Sequence, residues 1–159
     1  MNNSIKGLLE EWKYIRGITK CCVENLRDSG LDKELPRKNL NTIRKQCEEM
    51  LIVQECYIKA LETGSIKFDG YQDQEFLGDS SQEELLKKCD DLDWLLLNKL
   101  EEFNEDEKIE WFGEEKTIYA HLAAMISHEA THVGQIVAFC YAENIQIPQE
   151  IVNRMALSN

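Results

Sequence analysis

Apolar residues recur every three or four positions through four long stretches of the chain, and this spacing predicts amphipathic helices. The first two predicted helices span residues 4–28 and 39–63, and each is followed by a glycine, Gly30 and Gly64. Glycine commonly ends a helix because it adopts left-handed backbone angles without strain. The first part of the chain therefore predicts two helices, each with one apolar face.

The next stretch, residues 64–79, holds three glycines and predicts a connection with a short extended piece at residues 66–68. Two serines followed by glutamates, at residues 80–84, predict a capping box, in which a serine hydroxyl and a glutamate satisfy first-turn amides reciprocally. The third helix is expected to begin there and to end near Phe103.

A fourth helix is predicted from an N-cap at Thr117 to about Glu143, and a short terminal helix from Pro148 to about Met155. No alternating strand pattern of any length is present. The fold class predicted from these patterns is all-α: one domain, residues 1–159, built as a four-helix bundle with a short C-terminal helix.

Charge and hydropathy restrict the partners. The formal net charge is −12 and the 18 Lys and Arg residues form no basic cluster, which argues against nucleic-acid binding. No apolar run approaches the roughly 20 residues that span a bilayer, and the N-terminus lacks a signal-peptide core. We expect a cytoplasmic protein that interacts with neither nucleic acid nor membrane.

Six cysteines in such a protein predict reduced thiols and no disulfide framework. Cys21 and Cys22 are adjacent on the first helix and point to different faces, so we expect at most one of them to be buried. The other four lie among apolar helical neighbours and are interpreted as small core residues: Cys47, Cys56, Cys89 and Cys140.

All three histidines of the chain lie on the predicted fourth helix, where the pentapeptide HEATH runs from His128 to His132. Residues four apart share one helix face, so these two imidazoles can bind one ion or can simply pack between helices. His121 lies seven residues before His128, which is about 10.5 Å along the helix axis. This distance is too large for His121 to share an ion with the pair. We interpret His121 as a packed or capping histidine.

The letters H-E-x-x-H also match zinc peptidases, which would make Glu129 a general base over a metal-bound water. That interpretation needs a third ligand downstream, but Ala138 stands where one peptidase class has histidine. Glu143 or Glu150 would have to serve the other class, whose substrates lie along a sheet edge that this sequence does not predict. The peptidase alternative is therefore disfavoured.

The segment from His121 to Ile136, introduced by Trp111-Phe112-Gly113-Glu114, resembles the fourth helix of the DinB/YfiT-like superfamily, whose characteristic pattern is HxxxHxGQI. A weaker resemblance covers residues 42–61 of the second helix. The resemblance implies a four-helix bundle, often a homodimer, with a divalent metal, commonly nickel or zinc. In members of that superfamily, one histidine of the second helix and the HxxxH pair of the fourth helix hold the metal.

Carried onto this chain, the resemblance makes His128 and His132 metal ligands. The second helix here contains no histidine, and Glu49 falls at the family's histidine position with Glu48 beside it. Two histidines and one carboxylate suit zinc or nickel, with iron or manganese as alternatives. Glu49 can also be an ordinary surface glutamate. Glu129 can accept a hydrogen bond from a residue that supports the metal ligands, or it can pair with Arg or Lys on a neighbouring helix.

The resemblance also suggests two functions. Superfamily members include metal-dependent enzymes that join a low-molecular-weight thiol to an electrophile, so one hypothesis is a metal-dependent S-transferase or hydrolase that activates a small thiol or water for a small-molecule substrate. The alternative is a non-catalytic helical protein, metal-binding or metal-free, with a stress-response or interaction role. In the same segment, Gly134 is expected to permit close helix approach and Gln135 to be structural.

Overall fold

The computed structural model describes residues 3–34, 42–68, 78–104 and 107–157. These residues form mainly helices, together with one two-stranded sheet. The prediction of a mainly helical fold is therefore confirmed, and the prediction that it contains no strands is wrong. The elements are α1 (Asn3–Leu31), α2 (Ile43–Thr63), α3 (Gln82–Leu100), β1 (Lys108–Trp111), β2 (Glu114–Thr117), α4 (Ile118–Ala142) and α5 (Gln149–Arg154).

The boundaries of α2 follow from its capping residues. Thr42 is the N-cap, because its hydroxyl accepts a hydrogen bond from the Lys45 amide, and the helix begins at Ile43. Gly64 ends it in the left-handed conformation at φ +73°. The predicted end is confirmed, whereas the predicted start at residue 39 lies outside the described residues and precedes the observed start.

Capping side chains also begin α3 and α4. Ser81 and Glu84 form the predicted capping box, and Thr117 accepts from the Ala120 amide at the start of α4. The third helix ends at Leu100, before the predicted Phe103.

The first helix continues past its predicted end. Arg27 departs from helical geometry at φ 53° and ψ 175°, after which the helix resumes to Leu31. Leu26 and Leu31 flank this kink and are both buried, so the apolar face continues through it. Gly30 lies inside α1 and does not end it.

The hairpin of β1 and β2 was not predicted. Its turn residues, Phe112 and Gly113, both have positive φ angles, 52° and 91°, as two-residue antiparallel hairpin turns require. Four-residue strands are too short to show alternation, and phenylalanine is an unusual residue at such a φ angle. The extended piece expected at residues 66–68 appears as one parallel bridge between Ser65 and Glu110.

The two helices that carry the candidate site, α2 and α4, run antiparallel and in contact. Gln46 near the start of α2 lies beside His132, whereas Tyr57 near its end lies beside His121. Because of this arrangement, the HEATH segment of α4 faces the first half of α2. No helix among the described residues combines the length and the apolarity needed to cross a membrane.

The cysteines depart from expectation at two places. Cys21 and Cys22 are both buried, each 4 % exposed, because Glu150 at the start of α5 covers the side of α1 that carries Cys21. Cys56 is half-buried at the edge of the core. The remaining three are buried as predicted: Cys47, Cys89 and Cys140.

Candidate metal centre

The imidazoles of His128 and His132 face each other on one side of α4. Their Nε2 atoms are 3.3 Å apart and their ring centroids 4.6 Å apart. Two nitrogens bound at about 2.0–2.1 Å to one tetrahedral zinc are themselves about 3.3–3.4 Å apart. The spacing of the pair therefore fits two ligands of a single ion.

The second nitrogen of His132 contacts α2. Its Nδ1 lies 3.0 Å from Oε1 of Gln46, and both side chains are buried. An amide oxygen only accepts hydrogen bonds, so Nδ1–H donates and the lone pair of His132 is on Nε2, the atom that faces His128. His128 supplies the proton for the 3.3 Å contact between the two Nε2 atoms.

Burial keeps both imidazoles uncharged. It lowers the pKa of His128 to about 4, and the neighbouring His132 adds to this effect. Burial also lowers the pKa of His132. The charge of Glu49, a half-buried carboxylate of α2, acts to raise the pKa of both rings. At neutral pH both histidines are therefore uncharged, and an ion bound between the two Nε2 atoms would require the proton of His128 to move to its Nδ1.

The structure brings two of the three proposed ligands together, His128 and His132. Across the described ranges, no set of three or more His, Cys, Asp or Glu side chains forms a group that could hold a metal ion. Glu49 is half-buried on α2, and its role as the third ligand stays a prediction.

The neighbouring carboxylate, Glu48, has a different environment. It is buried and accepts hydrogen bonds from the amides of Gly78 at 2.8 Å and Ser80 at 3.0 Å. These bonds attach the chain that enters α3 to the first half of α2. Glu48 is therefore engaged in the fold and faces away from the histidine pair.

Glu129 lies inside the HEATH pentapeptide, but its carboxylate contacts α1 and not the histidine pair. It is 1 % exposed, accepts from the Thr19 hydroxyl at 2.6 Å, and lies 3.1 Å from Nη2 of Arg16. Arg16 also pairs with Asp93 at 3.1 Å, which links α1, α3 and α4. Burial raises the pKa of Glu129, and the charge of Arg16 opposes that rise.

The prediction that Glu129 pairs with an arginine is confirmed, and its alternative role as a peptidase base is wrong. The two downstream glutamates suggested as peptidase ligands are also engaged elsewhere. Glu143 pairs with Lys33 at 3.3 Å, and Glu150 pairs with Arg154 at 2.6 Å.

His121 is a packed histidine, as predicted. It is fully buried; its Nδ1 accepts from Nε1–H of Trp111 at 3.0 Å, and its Nε2–H donates to the carbonyl of Tyr57 at 2.9 Å. Burial lowers its pKa to about 4. With both nitrogens engaged by the protein, His121 has no lone pair for a metal.

Sequence reasoning missed Gln46 and Arg16. Gln46 lies three residues before Glu49, so helical spacing puts both on the α4-facing side of α2 and was the available signal. Arg16 interrupts the apolar stripe of α1, which marks a buried charge that needs a partner.

The expected role of Gly134 is wrong. It is exposed, and a Cβ built there would meet nothing within 4 Å, so no helix packs closely against it. The adjacent Gln135 is also exposed.

Comparison with known families agrees with the HxxxHxGQI resemblance. The model of the DinB family matches residues 1–140, which is most of the chain. The chain therefore belongs to the DinB family. A comparison with curated proteins gives no match.

Proposed function

We propose that this chain is a metalloprotein with the DinB-like four-helix-bundle fold, in which His128, His132 and Glu49 hold one divalent ion. Zinc or nickel is the first expectation, with iron or manganese as alternatives. The observation that carries the proposal is the 3.3 Å separation of the two imidazole Nε2 atoms. It matches the spacing of two ligands on one ion before any ion is considered.

The chemistry of the donor set supports the same proposal. Two neutral imidazoles and a carboxylate suit zinc, nickel, manganese or ferrous iron, and three protein ligands leave positions open. The charge of Glu49 acts to raise the pKa of both rings, which supports this carboxylate as the proposed third ligand. His128 is half-buried, so the pair is accessible from solvent.

The proposed activity is the transfer of a small thiol, or of water, to an electrophilic small molecule. A bound divalent ion would supply the activation, because it lowers the pKa of a coordinated thiol or water. The chain itself orients His132, because the amide oxygen of Gln46 accepts a hydrogen bond from its Nδ1–H, and the charge of Glu49 acts to raise the pKa of both rings. In S-transfer the thiolate sulfur forms a bond to the electrophilic carbon, and the leaving group departs with the bonding electrons.

A second candidate is a helical protein without catalysis, retaining the fold for interaction or stress response. It is favoured by the absence of a three-ligand group in the part of the chain that the structure describes. Metal content separates the candidates first, and turnover separates them second.

The deciding experiment is elemental analysis of untagged protein, with visible spectra of the cobalt-substituted form. We expect about one equivalent of metal in the wild type and its loss in His128→Ala. Ser127→Ala is the control for the exposed neighbour on the same helix. Full metal binding in His128→Ala would overturn the proposed centre.

Glu49→Ala tests the third ligand separately, with Glu55→Ala as the matched control because Glu55 is exposed on the same helix and pairs with Lys88. Loss of metal only in Glu49→Ala supports the carboxylate ligand, and full binding there would assign the third position elsewhere. Small thiols with electrophilic acceptors are then screened for turnover. A metallated but inactive protein would favour the non-catalytic candidate, and gel filtration tests the expected homodimer.

A further inference from the structure

We infer that Gln46 is a positioning residue that fixes the tautomer of His132, keeping the proton on Nδ1 and the lone pair on Nε2. The assignment of the His132 tautomer rests on geometry alone. The effect of Gln46 on metal binding rests on the proposed metal centre.

The contact between Gln46 and His132 is well shielded. Oε1 and Nδ1 are 3.0 Å apart, and the two residues are 5 % and 8 % exposed. Water has little access to either atom, so no solvent molecule replaces the amide oxygen as the acceptor. A buried donor without its acceptor is costly, and the proton therefore stays on the nitrogen that faces Gln46.

The direction of this hydrogen bond determines what His132 presents to His128. With Nδ1 protonated, Nε2 of His132 is unprotonated and lies 3.3 Å from Nε2 of His128. The other tautomer would put a proton on this atom and would remove the hydrogen bond that Nδ1–H of His132 donates to Gln46 Oε1. Gln46 thus selects the ring form whose free nitrogen points towards the partner histidine, and such supporting partners commonly change metal affinity by about 10–100-fold.

Another glutamine on the same helix shows that burial alone does not create this role. Gln54 lies eight residues after Gln46 and is 2 % exposed. Its amide oxygen and nitrogen have no hydrogen-bond partner among the described residues. The two side chains therefore share type, helix and burial but differ in having a histidine to orient, which makes Gln54 a matched control.

The first test needs no metal. Nitrogen-15 correlation spectra of the imidazoles in metal-free protein report which nitrogen of His132 carries the proton. We expect the proton on Nδ1 in the wild type, in Gln46→Glu, which keeps an acceptor, and in Gln54→Leu. In Gln46→Leu we expect a mixture of tautomers or a proton on Nε2. A proton on Nε2 in the wild type would overturn the inference without any variant.

The second test measures zinc and cobalt affinity by competition with a chelator. We expect Gln46→Leu to bind about 10–100-fold more weakly, and Gln46→Glu and Gln54→Leu to stay near the wild type. Equal affinity in Gln46→Leu and wild type would overturn the positioning role. A wild type that binds neither ion, but has the proton of His132 on Nδ1, would instead sink the proposed function while supporting the tautomer assignment.

Discussion

The interface of α2 and α4 contains two histidine environments that differ in the partners of the ring nitrogens. At one level His121 uses both ring nitrogens within the protein, accepting from Trp111 and donating to Tyr57. At the other level His128 and His132 turn their Nε2 atoms towards each other, and only the far nitrogen of His132 is bound to α2. In both environments burial lowers the pKa of the histidines.

Burial and a lowered pKa therefore do not distinguish the two environments. They differ in the partners of the ring nitrogens, because those of His121 are engaged by Trp111 and Tyr57, whereas the Nε2 atoms of the pair face each other. Glu129 belongs with His121 in this respect, because Arg16 and Thr19 already occupy its carboxylate. The HEATH pentapeptide therefore combines one side chain engaged in the fold with two that face a common point.

The largest expected effect on stability comes from removing the arginine that pairs with Glu129 of the pentapeptide. Arg16→Met leaves Glu129 and Asp93 in the interior without their cation, and we expect a loss of about 3–5 kcal/mol in the free energy of unfolding. Urea unfolding measures it, with Lys20→Met as the control because the Lys20–Asp90 pair is more exposed. A loss as small as in the control would show that the network contributes little.

His121→Leu tests the histidine whose nitrogens are both engaged. It leaves Nε1–H of Trp111 without its acceptor and removes the second hydrogen bond to the carbonyl of Tyr57, which keeps its bond within α2, so we expect about 1–3 kcal/mol of destabilisation. Metal content, by elemental analysis, should not change. Loss of metal in His121→Leu at a temperature where the variant is folded would contradict the distinction between the two environments.

The pH dependence of stability tests His121 further. Its folded pKa, about 4, lies below the ordinary value of 6.5 because of burial, and the charge of Lys116 acts in the same direction. The unfolded chain therefore binds more protons between these values, and stability falls as pH falls through this window. In metal-free protein, the stability advantage of wild type over His121→Leu should shrink below pH 6.5 by up to about 1.4 kcal/mol per pH unit. An advantage that stays constant from pH 7 to pH 5 would contradict the lowered pKa.

The smallest expected effect on the free energy of unfolding is a stabilisation. Gln54→Leu replaces a buried amide that has no partner among the described residues with an apolar side chain, and we expect about 1 kcal/mol of stabilisation. Thermal and urea unfolding measure it, beside Gln46→Leu, which should destabilise the metal-free protein because it removes a formed hydrogen bond. Destabilisation by both variants would show that Gln54 contributes an interaction of its own.

Much of the helical arrangement was predictable because its signals are local. The capping box of Ser81, the N-cap of Thr117 and the glycine stop at Gly64 involve residues close in the chain, and all three are confirmed. The hairpin was missed because its strands are short. The first helix does break near its predicted end, at Arg27, and what was missed is the helical segment that continues to the buried Leu31.

The candidate site also combines features that the sequence predicts with contacts that it does not predict. Helical spacing alone places His128 and His132 on one face, and it excludes His121 from sharing their ion. The resemblance to the DinB family directed attention to Glu49. Helical spacing places Gln46 on the same face of α2 as Glu49, but it does not show which residue of α4 Gln46 contacts, since 86 positions separate Gln46 from His132.

By itself, the sequence determined the helix pattern, the histidine pair and the family, because periodicity, capping and motif spacing act over a few residues. Only the tertiary structure decided which polar groups are satisfied. It engages Glu129 through Arg16 of α1, and it orients His132 through Gln46 of α2. The reason is physical: a hydrogen bond or an ion pair depends on distances between helices, and helix packing sets those distances.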